Sequence, residues 1–363
     1  MMISVRHTAR VHKATVKRIL PECHRCCRER AITIRKAVDR NKFLIVSLFF
    51  IVYALLGSGC SSLPATSEVL ARDSEFIVLR VGNEDANTLA HRYLGDEKLG
   101  WLIEDANYPR SIVSGNEIII PLQNKNPIGF EFEGYQTVPI LCYHRFGNKG
   151  GRLEVSAKQF EEQLKYLKQH DYRVIHLHEL YGFLKGEQAL PKRSVILTID
   201  DGHRSIYKIA YPLLKKYNFP ATVFVYSDYM NNGGLKTSEI KTMNSSGLIS
   251  IQPHSKTHSN LALNGAGEGK SAYRKRVRDE VRIPSRKLEN TLGKAPRYYA
   301  YPFGDTNPQV IDELKANGLL LGLTVQSAAN AAFTYPYLLN RSMIFGDRGM
   351  DDFVAKLKTF QAR

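Results

Sequence analysis

Three short segments of the 363-residue chain carry carboxylates, imidazoles and a tight corner in arrangements that could serve one reaction centre. The first is Val195-Ile-Leu-Thr-Ile-Asp-Asp-Gly202, in which two adjacent acids end an apolar run. Neighbours on a regular strand point to opposite faces, so Asp200 and Asp201 share a site only if the chain turns there, and Gly202 permits the turn. Capping of a helix over residues 203–216 would explain one of the two acids, not both. The second segment is Pro253-His-Ser-Lys-Thr-His258. Its histidines at i and i+4 fall on one helical face and could share a cation, but the spacing alone is a weak signal and exposed surface histidines are the commoner account of it. The third, Arg297-Tyr-Tyr-Ala-Tyr-Pro-Phe-Gly304, is a strand running into a corner that by itself is only a turn.

The elements that must position these groups are legible around them. The apolar runs Val138–Leu141, Val195–Ile199 and Thr222–Val225 read as buried strands. Helical stretches alternate with them; Ser156 with Gln159 forms a capping-box pattern, and Phe160, Leu164 and Leu167 give that helix its apolar face. Strand–helix alternation over residues 137–363 predicts an α/β fold, either a parallel sheet or a (β/α) barrel. In both, chemistry collects at the carboxyl ends of the strands.

Upstream, residues 76–122 read in the order β-α-α-β, with strands at Phe76–Val81 and Glu117–Pro121, helices near Thr88–Tyr93 and Leu99–Ala106, and Trp101 and Ile103 expected in the core. Residues 60–75 are expected to be a tether and 123–136 a linker. The net charge of +16 invites a nucleic-acid reading, but its distribution argues against one. Residues 1–43 hold twelve lysines and arginines against three acids, and the apolar run Phe43–Leu56 follows. At fourteen residues that run is short of a bilayer span. Basic flank, apolar core and the small residues Gly57-Ser-Gly59 make residues 1–59 an export leader. Cys23, Cys26 and Cys27 lack a second ligand pair at zinc spacing, and five cysteines in all exclude a disulfide scaffold.

Three resemblances rest on these residues. Leu55-Leu-Gly-Ser-Gly-Cys60 resembles a bacterial lipoprotein cleavage box, with Gly57 where leucine is usual, which implies lipidation of Cys60 and a membrane anchor. Residues 76–122, through Leu89-Ala90, Tyr93-Leu-Gly-Asp96, Asn107, Gly115 and Ile118-Ile-Ile-Pro121, resemble a LysM module, which implies binding of N-acetylglucosamine (GlcNAc) glycans. The usual Gly-Asp-Thr is replaced by Gly82-Asn-Glu-Asp85. Residues 137–345 resemble the metal-dependent polysaccharide deacetylases (the NodB-homology domain, carbohydrate esterase family 4) and look most like the branch acting on poly-N-acetylglucosamine. The segments carrying this are Val138–Arg145, Thr198–Gly202, Tyr211–Val225, His254–His258, Tyr299–Gly304 and Leu339–Ile344.

That resemblance implies a distorted (β/α) barrel and assigns roles. Asp201, His254 and His258 would hold a divalent metal, Zn2+ by preference. Asp200 would stay free as general base, and the Tyr301-Pro302-Phe303 corner would meet the substrate, with a backbone N–H near Phe303 on the oxyanion. Two departures stand out. Many members carry an arginine at the position of Ala300, so Arg297 or Arg341 is the candidate to orient the base. No histidine follows His258, so His144, at the end of Ile140-Leu-Cys-Tyr-His144, is the candidate general acid. The expected activity is removal of N-acetyl groups from GlcNAc residues of peptidoglycan or poly-N-acetylglucosamine, outside the cytoplasm and beside a membrane. A non-catalytic wall-binding protein and an O-acetyl esterase are the alternatives.

Overall fold

A computed structural model describes residues 66–123, 126–148 and 150–363, all within one compact unit, Pro64–Arg363. The basic leader, the apolar run and Cys60 lie outside the described residues. Among the described residues no helix is long and apolar enough to cross a membrane.

The N-terminal part is a three-stranded antiparallel sheet, β1 (Glu68–Arg72), β2 (Phe76–Arg80) and β3 (Glu117–Pro121), under helices α1 (Ala86–Leu94) and α2 (Gly100–Asn107). Strand alternation turns Ile77, Leu79, Ile118 and Ile120 inward onto Leu89, Ala90 and Ile103, while Ile119 stays exposed. Asp85 caps α1 by accepting the Thr88 N–H at 2.8 Å, and Gly95, at φ +81°, ends it. Two expectations change here. Residues 68–72, read as tether, supply the third strand, because Glu68 and Arg80 pair across β1 and β2. Trp101, read as core, is only half-buried and faces a groove of about 910 Å3 that runs between this part and the rest of the chain. Polar contacts cross that seam: Glu104 pairs with Arg173, and the Asp105 carboxylate accepts the Lys192 N–H at 2.8 Å. The segment read as a linker also contributes strands, Phe130–Glu131 and Gly134–Gln136, the latter paired with Phe360–Ala362 at the C-terminus.

The larger part is α/β. Parallel strands β4 (Val138–Tyr143), β5 (Ser194–Ile199), β6 (Ala221–Val225) and β7 (Ile249–Pro253) pair in the order β7-β6-β5-β4. Every residue of β4, β5 and β6 is buried, which is why they read as unbroken apolar runs. Helices α3 (Ala157–Gln169), α4 (Leu177–Leu184), α5 (Tyr211–Tyr217) and α6 (Thr237–Ser245) cover them. The long helix α7 (Lys270–Leu292) leads into a second parallel pair, β8 (Tyr298–Ala300) and β9 (Leu321–Leu323), joined by α8 (Pro308–Ala316). Strand β10 (Ala329–Asn330) pairs antiparallel with the start of β4, β11 (Ser342–Met343) pairs parallel with its end, and α9 (Met350–Ala355) closes the core. Between β7 and β8 a side chain stands in for a ladder: the Gln252 carbonyl accepts the N–H groups of Arg297 and Tyr298 at 2.9 and 3.0 Å. The carboxyl ends of β4, β5, β7 and β8 thus open onto one edge, delivering His144, Asp200, His254 and Tyr301.

Candidate active site

Asp200 leaves β5 into the buried edge and is only 2% exposed. A carboxylate there must be matched, and Arg341 matches it with a two-pronged fork, Nη1 to Oδ1 and Nη2 to Oδ2, each at 2.7 Å. Arg341 is itself fully buried and is fixed by donating Nε–H to the Thr324 carbonyl at 2.8 Å, with the Phe224 ring alongside its guanidinium. Burial alone would push the Asp200 carboxyl up, but the Arg341 charge overrides it and holds the acid well below the usual carboxylate range. Burial pushes the Cys142 thiol up, so it stays protonated and donates S–H to Asp200 Oδ2 at 3.5 Å.

Asp201 takes φ +71°, a left-handed turn followed by Gly202 at +75°. The turn brings both acids to one side, as the spacing required. A Cβ on Gly202 would meet Val225 Cγ1 at 2.8 Å, so close packing as well as dihedral keeps that position bare. The histidine pair is not on a helix, contrary to the i, i+4 reading. Residues 254–258 form a loop beyond β7, with Ser255 at φ +80° and His258 at +66°. Four of the seven described non-glycine residues with positive φ (Asp201, Ser255, His258 and Phe303) therefore sit at this edge. Such conformations cost on the order of 1 kcal/mol or more each and persist where the surroundings over-determine them.

One of those surroundings was missed in the sequence. Glu280 of α7, 4% exposed, accepts the N–H groups of Lys256 and Thr257 at 2.8 and 2.9 Å and the Thr257 hydroxyl at 2.6 Å, clamping the loop from behind. Its signal was an acid on the apolar stripe Tyr273, Val277, Val281, Leu288 of an otherwise amphipathic helix.

His254 is buried, and its Nδ1 meets the Ala300 carbonyl at 2.8 Å, which leaves Nε2 free for the edge. Burial holds its pKa below the ordinary value, keeping the ring neutral. His254 Nε2 lies 3.8 Å from Asp201 Oδ1, and His258 Nε2 lies 3.3 Å from the same oxygen. Donors of a tetrahedral zinc-type ion at about 2.0–2.1 Å are about 3.3 Å apart, so Asp201, His254 and His258 fit a divalent cation. Their ligand atoms all fall within 4.8 Å of one another. Cys142, His144 and Asp200 are grouped as tightly, but both Asp200 oxygens are already held by Arg341, a poor place for a second cation.

The remaining predicted residues separate. His144 follows β4 beside Asp200, and its buried Nδ1 has no hydrogen-bond partner. Phe303, at φ +62° and 59% exposed, packs its ring edge-to-face against His258 at 4.9 Å. Its N–H meets no protein acceptor among the described residues. Pro302 is buried beneath the corner. Tyr301 is buried with its hydroxyl donating to the Tyr337 carbonyl at 2.9 Å, so only its main chain belongs to the edge. Of the two arginine candidates, Arg341 makes the fork. Arg297 is exposed at the start of β8, at the opposite end of the strand, and does not reach the acids. Tyr226, with its ring 5.3 Å from His258 and stacked on Tyr229, adds an aromatic rim that no sequence pattern had marked.

The edge thus joins a carboxylate forked by arginine, a second carboxylate facing two imidazoles in a group that could hold a divalent cation, and an aromatic corner, on an α/β scaffold. The polysaccharide deacetylase family profile matches residues 187–322. The chain is 32% identical over 199 residues to the poly-beta-1,6-N-acetyl-D-glucosamine N-deacetylase of Staphylococcus aureus strain MRSA252, covering 53% of this chain and 68% of that one. A Staphylococcus epidermidis protein of the same name is 29% identical over 201 residues, with the same coverage. Among solved structures, IcaB from Ammonifex degensii superposes with a TM-score of 0.55 at 26% identity, over 62% of this chain and 98% of that one. The Streptococcus pyogenes deacetylase PplD, in complex with acetate, gives 0.55 at 25% identity, over 61% and 98%. The chain belongs to the polysaccharide deacetylase family and is a polysaccharide N-deacetylase.

Proposed function

We propose that this protein hydrolyses the acetamide of GlcNAc residues in an extracytoplasmic polysaccharide, poly-β-1,6-N-acetylglucosamine first, with a divalent cation held by Asp201, His254 and His258. The observation that carries the reading is the meeting of two carboxylates with separate tasks at one edge, Asp200 locked to Arg341 and Asp201 facing two imidazoles. When bound, the cation, Zn2+ by donor chemistry, supplies a Lewis acid that makes a water nucleophilic near neutral pH.

The chain's own residues do the rest. Asp200, kept ionised by Arg341, accepts the proton of the attacking water at Oδ2, the oxygen that lies 3.8 Å from His254 Nε2. The same fork makes Asp200 a weak base, so the proton is passed on and not kept. His144 is the group placed to give a proton to the departing amine. The Phe303 N–H stabilises the acetyl oxygen as charge develops on it. The rings of Phe303 and Tyr226 offer flat apolar faces to the sugar, and the closed Asp200–Arg341 pair keeps bulk water from the base.

The finer organisation belongs to the same proposal. The Gln252 bridge from β7 to β8 and the Leu323–Leu339 bridge beyond β9 support a distorted (β/α) barrel over residues 137–363. The β-α-α-β order of residues 76–122 supports a LysM-like glycan-binding module. The leader and Cys60 support export and lipid anchoring at the cell envelope, with glycan and membrane as partners and no nucleic acid. Acetate release from β-1,6-GlcNAc oligomers, β-1,4 chitin oligomers and peptidoglycan, before and after chelation, is the test. Release from the β-1,6 oligomers that chelator abolishes and Zn2+ restores is the expected result. Equal release after thorough chelation refutes the cation, and release from peptidoglycan alone refutes the substrate.

A further inference from the structure

Helix α7 backs the catalytic loop with one side and faces solvent with the other. Lys270, Arg274, Arg278, Arg282 and Arg286 recur every four residues and all five are exposed, the row starting beside the packed stripe at the amino-terminal end and turning to the solvent side by Arg278. The helix has other cations, and those are engaged. Lys275 binds Asp279 at 2.6 Å, Arg276 binds Glu268 at 2.8 Å, and Lys287 donates to the Ser227 carbonyl at 2.6 Å. None of the five makes an ion pair or a side-chain hydrogen bond among the described residues. Like charges at i and i+4 work against the helix that carries them, so four successive pairs are a poor choice for stability alone.

The geometry of the row selects its partner. Each step advances about 6 Å along the axis and turns about 40° around it, so the five span about 24 Å and sweep about 160°. A flat surface reaches two or three of them at once. A flexible linear chain can follow the row and meet all five. We propose that the outer side of α7 binds a linear phosphodiester polymer carrying one negative charge about every 6 Å, laid along Lys270 to Arg286. Four of the five groups are guanidinium forks, which match paired phosphate oxygens better than an ammonium does. Since Glu280 on the opposite side of α7 holds the loop of His254 and His258, the polymer would anchor the enzyme beside its glycan without entering the reaction edge.

The experiment uses the full chain and fluorescent poly(glycerol phosphate), with binding followed by anisotropy between 50 and 200 mM salt. Five contacts to a flexible single strand give a slope of log K against log salt of about −3.5, or about a hundredfold loss over that range. The variant Arg274→Gln/Arg278→Gln/Arg282→Gln keeps two contacts, with a slope of about −1.4. It is expected to release acetate from a short GlcNAc oligomer at the parental rate and to melt no lower than the parent. Parental affinity and slope in this variant would overturn the proposal. So would phosphatidylglycerol vesicles bound at least as tightly as the polymer, which would put a membrane on the row, or polyglutamate bound equally well, which would remove the phosphodiester.

Discussion

Replacing Arg341 by methionine tests the centre of the mechanism and the core of the fold together. The guanidinium is fully buried, Asp200 is 2% exposed, and two 2.7 Å contacts join them. Methionine keeps much of the packing against Phe224 and strands the carboxylate. Leaving one member of a buried ion pair unpartnered costs about 3–5 kcal/mol. In a domain of this size each kcal/mol lowers Tm by about 2–4 °C, so Arg341→Met is expected to melt roughly 6–20 °C lower. Acetate release should fall on the order of 10²–10⁴-fold, the usual worth of a positioned general base.

Asp200→Asn/Arg341→Met removes both charges. It should recover most of the stability and none of the rate, because replacing a complete buried pair is often neutral or stabilising. The pH dependence has a defined sign. Asp200 titrates below its unfolded value of about 3.9, so the pair's contribution is complete above that value and is lost only as pH falls through the lower, folded one. Stability differences between parent and double variant should therefore be flat from about pH 5 to 8. In Arg341→Met burial is no longer opposed by the guanidinium, and only the neighbouring His254 and His144 still lower the Asp200 carboxyl, so the acid limb of its residual activity should move upward. A Tm within about 2 °C of the parent, or a double variant less stable than the single, would refute the buried-pair argument.

Three further outcomes follow from the same edge. Asp201→Asn and His258→Ala should lose bound metal and activity together, whereas Asp200→Asn should lose turnover and keep the metal, as read by elemental analysis of dialysed protein. Glu280→Ala frees two loop N–H groups and should weaken metal binding about 10–100-fold by calorimetric titration while oligomer affinity holds; unchanged metal affinity would make Glu280 a folding residue only. Gly304→Ala places a Cβ 2.6 Å from Val325 N at φ +80°, so it should displace the Phe303 corner and cost activity out of proportion to its loss of Tm.

What the sequence made legible follows the range of the forces involved. Period and composition are local, so the strands at Val138, Val195 and Thr222 and the capped helix after Ser156 stand where the pattern puts them. Asp200, Asp201, His254 and His258 were singled out by a turn glycine and a short spacing, but that spacing was weak by itself, and only the resemblance to the deacetylase family joined them in one proposed site. The choice between Arg297 and Arg341 was not, because it depends on which end of a strand faces the acids and on a contact spanning 141 positions. The loop geometry of residues 254–258 was hidden for a related reason. The i, i+4 spacing suits a helix, whereas the loop is held by Glu280, arriving from α7 to accept from Lys256 and Thr257, and by Ser255 Oγ accepting the His258 N–H, between the left-handed turns at Ser255 and His258.

Glu280 and Arg341 are also two places near the candidate site where the chain buries a charge that fixes another residue's position. Each sits outside the three segments that carry the chemistry, and each satisfies backbone or carboxylate groups that would otherwise be stranded in an apolar core. The Asp200–Arg341 fork would be replaceable by packed hydrocarbon at little or no cost in stability. Its place in the interior, beside a thiol and two imidazoles, is therefore better explained by the base role proposed for Asp200 than by the fold it sits in.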